Sequence, residues 1–184
     1  MIGNKLLQGK SIYLDALEKA DVPMLGAGWR SIELSQFLSQ DALFPKNEED
    51  ELEWYESVRK NPNVFAFAIR RQDDDSLVGT ASLFDINWRI RKCSFGIALG
   101  DPTVWGKGLG TDATRTVIGY AFRELNLNRV QLYVYEFNER ARRSYEKVGF
   151  VKEGTLRQSV YREGRYYSED IMSILRSDWE TAQE

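Results

Sequence analysis

Three strand-length runs, residues 64–69, 77–86 and 92–99, follow one another with only short turns between them. The turns are Asp73-Asp74-Asp75-Ser76 and residues 87–91. Connections this short allow only antiparallel pairing, because a parallel crossover needs a dozen or more residues. Residues 129–135 form a further strand pattern, but they are reached through a helix. That strand therefore runs parallel to the one before it. The expectation is an α/β chain with a mixed, mostly antiparallel sheet and one parallel pair.

Between the third run and that helix stands Val104-Trp105-Gly106-Lys107-Gly108-Leu109-Gly110-Thr111. Glycine lets a backbone turn tightly and approach a ligand closely. A helix start leaves its first four N–H groups without intrahelical partners and carries the positive dipole end. Together these make a site for a phosphate or diphosphate, with Lys107 as an added charge. A glycine-rich turn that binds nothing is the alternative reading. A dinucleotide fingerprint would need G-x-G-x-x-G directly after an opening strand. Here the spacing is G-x-G-x-G, Pro102 intervenes and three antiparallel strands come first. A nucleoside-triphosphate loop would end in Gly-Lys-Ser/Thr, which this one does not.

The remaining elements follow from period and caps. Residues 10–14 alternate as a first strand, and Asp21 with Pro23 begins a helix through Trp29. Residues 31–43 read as a broken helix with a loop. Asn47 caps the next helix, with Glu48, Glu49, Asp50 and Glu51 in its first turn. Leu52, Tyr55 and Val58 are its expected apolar face, and Asn61-Pro62-Asn63 ends it. Ala113, Val117, Ala121 and Leu125 share one face of the helix after the glycine loop. Asn138 caps another helix, with Ala141, Tyr145 and Val148 inward and Gly149 as its stop. Residues 151–156 and 166–175 are the last strands, around Glu163-Gly164-Arg165.

The totals remove several function classes. With 184 residues, the chain (1–184) reads as a single domain. It has no histidine, and its one cysteine is Cys93. That excludes histidine-based triads, intrachain disulfides and ordinary zinc sites; a carboxylate-only magnesium or calcium site stays open but has no loop motif here, and no metal is expected. Cysteine usage makes the cytoplasm the default. The net charge of −3 speaks against a nucleic-acid partner. No apolar run is long enough for a membrane span, and the opening Met1-Ile2-Gly3-Asn4-Lys5-Leu6-Leu7 is too short and polar for a secretory signal. The oligomeric state is not written in these features, and a homo-oligomer stays open.

At this point the chain resembles the GCN5-related N-acetyltransferase (GNAT) family. The resemblance rests on an ordered set: Gly106-Lys107-Gly108-Leu109-Gly110-Thr111 at a helix start, the strand to Tyr135, Asn138, and Tyr145-Glu146-Lys147-Val148-Gly149-Phe150. Trp105-Gly106-Lys107-Gly108 and Glu153-Gly154-Thr155-Leu156-Arg157 are similar to the branch of ribosomal-protein-alanine N-acetyltransferases. Spermidine N-acetyltransferases are similar through the same stretches.

The resemblance implies a GNAT-like sheet splayed at its central parallel pair, and acetyl-CoA as cosubstrate. The diphosphate is expected on Trp105, Gly106, Lys107, Gly108, Leu109, Gly110 and Thr111. The pantetheine is expected as an added strand along Ile97, Ala98 and Leu99, with a main-chain N–H near Leu99 polarising the acetyl carbonyl. Asn138 would face the cofactor as well as cap its helix. Lys147, with Arg142 and Arg143, could reach the adenosine 3′-phosphate. Tyr145 is the expected acid for the departing thiolate, since a phenol stays protonated at neutral pH. The branch usually carries Glu where Ser94 stands, so the base is unassigned among Glu33, Asp41 and Asp85.

The acceptor wall is expected over residues 31–58, beside Trp29, with Phe37, Phe44, Trp54, Tyr55 and the acidic turn of Glu48 to Glu51 and Glu53. Acidic and aromatic groups suit a cation. The leading expectation is direct acetyl transfer to a protein or peptide N-terminal amine, with no covalent intermediate. The alternatives are a small polyamine such as spermidine or an aminoglycoside, and a non-catalytic acyl-CoA-binding module.

Overall fold

The computed structural model describes residues 7–182, so Met1 to Leu6 lie outside the described residues. The strands are β1 (Ile12–Ala16), β2 (Phe65–Arg71), β3 (Leu77–Asn87), β4 (Lys92–Leu99), β5 (Arg129–Tyr135), β6 (Val151–Arg162) and β7 (Arg165–Leu175). They form one sheet in the order β1-β2-β3-β4-β5-β7-β6. All neighbours are antiparallel except β4 and β5. The helices are α1 (Val22–Trp29), α2 (Ile32–Ser35), α3 (Glu48–Lys60), α4 (Leu109–Arg123), α5 (Glu139–Val148) and α6 (Arg176–Thr181). The mixed, mostly antiparallel α/β architecture is the one expected from the short turns and the single helical crossover.

Local chemistry sets the helix ends. The Asn47 side chain accepts from the Asp50 N–H at 2.8 Å, and the Asp50 carboxylate accepts from the Asn47 N–H at 3.0 Å. This reciprocal box starts α3, and Arg59 and Lys60 complement the dipole at its far end. Asn138 caps α5 through Ala141, and Gly149 ends it with φ at +111°. The main core lies between the sheet and α4, around Val117, Ile118, Phe122, Leu132, Met172 and Ile174. Asp112 in the first turn of α4 accepts from the main-chain N–H groups of Lys10 (3.0 Å) and Ser11 (2.7 Å), which ties α4 to the start of β1.

Three local expectations are corrected, and one short helix is added to them. In α3, Leu52 and Val58 are only half-buried, and Glu51 is buried with Tyr55. Gly26 of α1 makes this possible, because a Cβ there would stand 1.9 Å from Glu51 Oε2. Leu125 lies beyond the end of α4 but still packs on the core. β6 continues to Arg162, because a register break between Leu156 and Val160 absorbs the chain where pairing would otherwise stop. The short helix α6 carries no readable period; its Trp179 packs 5.8 Å from Phe122 under the Arg123 guanidinium.

Candidate functional site: a slot between two parallel strands

The parallel pair joins for only three residues: Lys92 to Arg129, Cys93 to Val130 and Ser94 to Gln131. Beyond that register β4 and β5 separate. The hydrogen-bond alternation shows which groups face the gap. Gly100 N–H donates to Val78 at 3.0 Å, so its register-mates Ala98 and Gly96 also bond toward β3. Ile97 and Leu99 therefore turn their N–H and C=O groups into the slot. On the other side Glu136 N–H donates to Ser168 at 3.0 Å, so Tyr133 and Tyr135 face the slot from β5. The Tyr135 carbonyl is taken by the Asn138 N–H at 2.8 Å.

The slot opens into a cavity of about 1190 Å³. Ile97, Ala98, Leu99, Trp105, Gly106, Gly108, Gly110, Thr111, Asn138, Tyr145 and Lys147 all line it. The structure thus brings together eleven of the residues expected at the site. Lys107 and Leu109 do not line it: Lys107 is exposed and Leu109 is buried in the core. Their contribution to an anion would come from main-chain N–H groups.

The glycine loop has the geometry of an open cradle. Gly106 and Gly108 hold φ at +75° and +84°, and Gly108 stands directly before α4. A Cβ at either would meet nothing within 4 Å. The conformation, not crowding by the protein, demands glycine there, and the space beside it suits an anion at a helix start. Trp105 anchors the loop: its indole N–H donates to the Leu99 carbonyl at 3.0 Å. That uses one slot-facing acceptor and leaves Ile97 with both its groups and Leu99 with its N–H. The Arg140 guanidinium lies 3.7 Å from the centre of the Trp105 ring. Burial lowers the pKa of Arg140 from its ordinary value, and a stack on an indole face suits a cation so placed.

Tyr145 is buried against Phe95 and Phe150, with ring centres 6.3 and 5.8 Å away. Burial pushes its hydroxyl up to about 12, so the phenol stays protonated through the neutral range. Arg142 is 3.7 Å from the Asp170 carboxylate and Arg143 is 2.7 Å from Glu139. Lys147, unlike Arg142 and Arg143, makes no ion pair among the described residues.

The second face of the cavity is acidic. Its floor is small and polar, with Thr80, Ser82, Ser94, Gly96 and Ala98. Its roof comes from α1 to α3, with Trp29, Phe37, Phe44 and Trp54 among the lining residues. Asp41, Asp50, Glu51 and Glu169 also line it. Glu51 is neutralised by Arg30 at 3.1 Å. Of the three carboxylates considered as base, Asp41 is in the cavity, and Glu33 is in a smaller adjoining recess with Phe37 and Arg140. Asp85 lies outside both, exposed at a register break of β3 with φ at +52°.

Glu169 was not singled out by sequence reasoning. It is 2% exposed, it accepts from the Gln40 amide at 2.6 Å, and burial raises its pKa. Tyr135, opposite it on β5, is pushed up to about 12 by burial and then by the Glu169 charge. The only sequence signal was an acid inside an apolar strand pattern. Among the described residues no group of histidine, cysteine and carboxylate side chains is arranged to hold a metal, and no helix is long and apolar enough to cross a membrane.

The slot, loop and Tyr145 can be set beside known proteins. Residues 11–151 match the family model for the acetyltransferase (GNAT) domain. A probable N-acetyltransferase of Bacillus subtilis, YjcK, is 32% identical over 179 residues, covering 94% of this chain and 98% of the relative. The spermidine N(1)-acetyltransferase of Vibrio cholerae is 32% identical over 130 residues, covering 71% of this chain and 75% of that one. A putative ribosomal N-acetyltransferase of B. subtilis, YdaF, is 37% identical over 107 residues, 58% of each chain. Among solved structures, the V. cholerae spermidine N-acetyltransferase in complex with CoA and spermine superposes with a TM-score of 0.84 at 26% identity, covering 92% of this chain and 98% of that one. A family model that spans the sheet from β1 to the start of β6, around a slot with unpaired strand edges and a glycine cradle at its end, fixes the affiliation: the chain belongs to the GNAT acetyltransferase family.

Proposed function

We propose that this protein transfers the acetyl group of acetyl-CoA to a primary amine of a small aliphatic polyamine. One observation carries the choice of acceptor: the cavity is charged in opposite senses on its two sides. Arg140, Lys147 and Arg143, the last paired with Glu139, stand with the glycine loop, while Asp41, Asp50 and Glu169 outnumber the one cation Lys46 on the other face, with Phe37, Phe44 and Trp54. The first side suits phosphates, the second a flexible cation. A peptide N-terminus, the first expectation from sequence, brings one positive charge; a polyamine brings several. The similarity to spermidine acetyltransferases over most of the chain supports the same choice.

In this reading the N–H groups from Gly106 to Thr111 bind the diphosphate, the Trp105 N–H being taken by the Pro102 carbonyl at 3.1 Å, and Lys147 approaches the adenosine phosphate. Ile97 and Leu99 hold the pantetheine as an added strand, with Ala98 beneath it and Asn138 opposite. Acetyl-CoA supplies an activated thioester; the protein supplies orientation and proton control. The Leu99 N–H polarises the acetyl carbonyl, and the Trp105 indole on the Leu99 carbonyl holds that peptide unit in place. The neutral amine attacks the carbonyl carbon directly, the carbon–sulfur bond breaks as Tyr145 gives its proton to the thiolate, and the proton shed by the new amide nitrogen passes to water, from which the Tyr145 hydroxyl is restored. All seven strands belong to one sheet, which supports residues 1–184 acting as one acetyltransferase unit. The test is thiol release from acetyl-CoA with spermidine, an aminoglycoside and short peptides as acceptors. Turnover with spermidine is expected. Turnover with peptides alone would replace this acceptor, and tight acetyl-CoA binding with no turnover would mark a non-catalytic module.

A further inference from the structure

Glu169 is a nearly buried carboxylate that lines the acceptor side of the cavity without a cationic partner. Its neighbours are accounted for. Gln40 donates a neutral amide N–H at 2.6 Å, and the Ser159 hydroxyl donates to the Leu156 carbonyl. The terminal nitrogens of Arg162 donate to the carbonyls of Ser39, Gln40 and Tyr161, its buried Nε has no partner, and no ion pair joins it to Glu169 among the described residues. Arg142 and Lys152 serve Asp170, the next residue, which points to the opposite face of the sheet. Among the described residues no ion pair reaches Glu169. A carboxylate removed from water without a countercharge is costly, and an incoming cation relieves that cost.

Its place in the sheet fixes which cation. β4 and β5 run parallel from the shared level of Ser94 and Gln131. Four residues on stand Ala98 and Tyr135, and Tyr135 is paired with Glu169 on β7. Glu169 is therefore level with the part of β4 that carries the Leu99 N–H. Sideways it is one and a half strand spacings from the middle of the slot, about 7 Å before the splay is added. That main-chain offset places Glu169 beside the slot rather than in it. It matches a second nitrogen on the same chain, because three or four methylenes set two amines about 5–6 Å apart from ordinary single-bond lengths. The surroundings favour an alkylammonium. Tyr135 and Phe37 line the cavity beside the site, and Phe137 packs 5.3 Å from Tyr135 and 5.7 Å from Phe37.

We propose that Glu169 is the specificity residue that binds the second, non-reacting ammonium of a diamine or polyamine acceptor. This rests on the acetyltransfer reading above and names the group that would favour a dication over a monoamine. The experiment compares wild type with Glu169→Gln, which keeps the Gln40 contact and loses the charge. Thiol release is followed with 1,4-diaminobutane and with butylamine, and 1,4-diaminobutane binding is titrated calorimetrically in the presence of coenzyme A. The variant is expected to raise the diamine KM about tenfold or more, the worth of one charged hydrogen bond, and to collapse the diamine-to-butylamine ratio of kcat/KM. Diamine binding should weaken by a similar factor. A ratio retained in the variant overturns the proposal. So does an equal fall in kcat for both amines, which would make Glu169 a proton acceptor. If wild type acetylates neither amine, the acetyltransfer reading fails, and the titration still decides Glu169: equal diamine affinity in both proteins, or none in either, overturns it.

Discussion

Gly108 and Gly164 offer a matched pair that separates backbone strain from ligand binding. Both are left-handed, at +84° and +78°, and a Cβ at either meets nothing within 4 Å. Gly108 precedes α4 in the glycine loop, and Gly164 sits in the β6–β7 turn. Replacing either by alanine should cost about 1–2 kcal/mol of stability, the usual penalty for a side chain in this region. In a chain of this size that lowers Tm by about 2–8 °C. The two variants should therefore unfold alike. They should differ in acetyl-CoA binding, because only the Gly108 methyl enters the volume assigned to the diphosphate. Losing one charge-assisted contact is worth about 1.5–3 kcal/mol, or roughly 10- to 150-fold in Kd. Thermal unfolding of the free proteins and calorimetric titration with acetyl-CoA measure the two effects separately. Equal acetyl-CoA affinity in Gly108→Ala, Gly164→Ala and wild type would refute the cradle.

Three further outcomes follow from particular contacts. Tyr145→Phe should lower kcat about 100-fold, a typical share for general acid catalysis, with acetyl-CoA affinity nearly intact; an unaltered kcat removes the acid role. Gly26→Ala should destabilise by about 1–3 kcal/mol in urea unfolding, since its methyl would stand 1.9 Å from Glu51 Oε2, and Glu51→Ala in the same chain should recover at least about 1 kcal/mol. Additive effects would show that the two residues do not clash. Glu153 is held at about 2 by the Arg129 guanidinium and the Ser173 hydroxyl, below its ordinary 4.5. Its contribution is fully present above about pH 4.5 and disappears as the pH falls toward 2. Glu153→Gln should flatten the stability loss across that window, and an unchanged acid slope contradicts the pairing.

Features that depend on neighbours in sequence were legible. Turn lengths between residues 64 and 99 dictate antiparallel pairing, Asn47 and Asn138 announce helix starts, and the glycines before α4 mark the loop. The site residues expected on β4 and α5 come from the family resemblance, because a strand and an amphipathic helix do not by themselves mark a site. What escaped reading depends on partners far along the chain. Glu51 looks like one more acid in a helix's first turn; only the missing side chain of Gly26 on α1 makes room to bury it. Trp105 shows its function only once its indole is seen on Leu99. Glu169 becomes part of the cavity through the β5–β7 register with Tyr135 and through Gln40, 129 residues earlier. The charge polarity of the cavity, which favours a polyamine over a peptide, arises from that same assembly.

The central claim is that the slot and the glycine cradle together hold acetyl-CoA. Calorimetric titration of the purified protein with acetyl-CoA, beside NAD, tests it most directly. Saturable binding of acetyl-CoA with no heat from NAD is the predicted result. A folded protein that binds no acetyl-CoA would reduce the loop to a turn and contradict the roles assigned to Leu99, Tyr145 and Lys147.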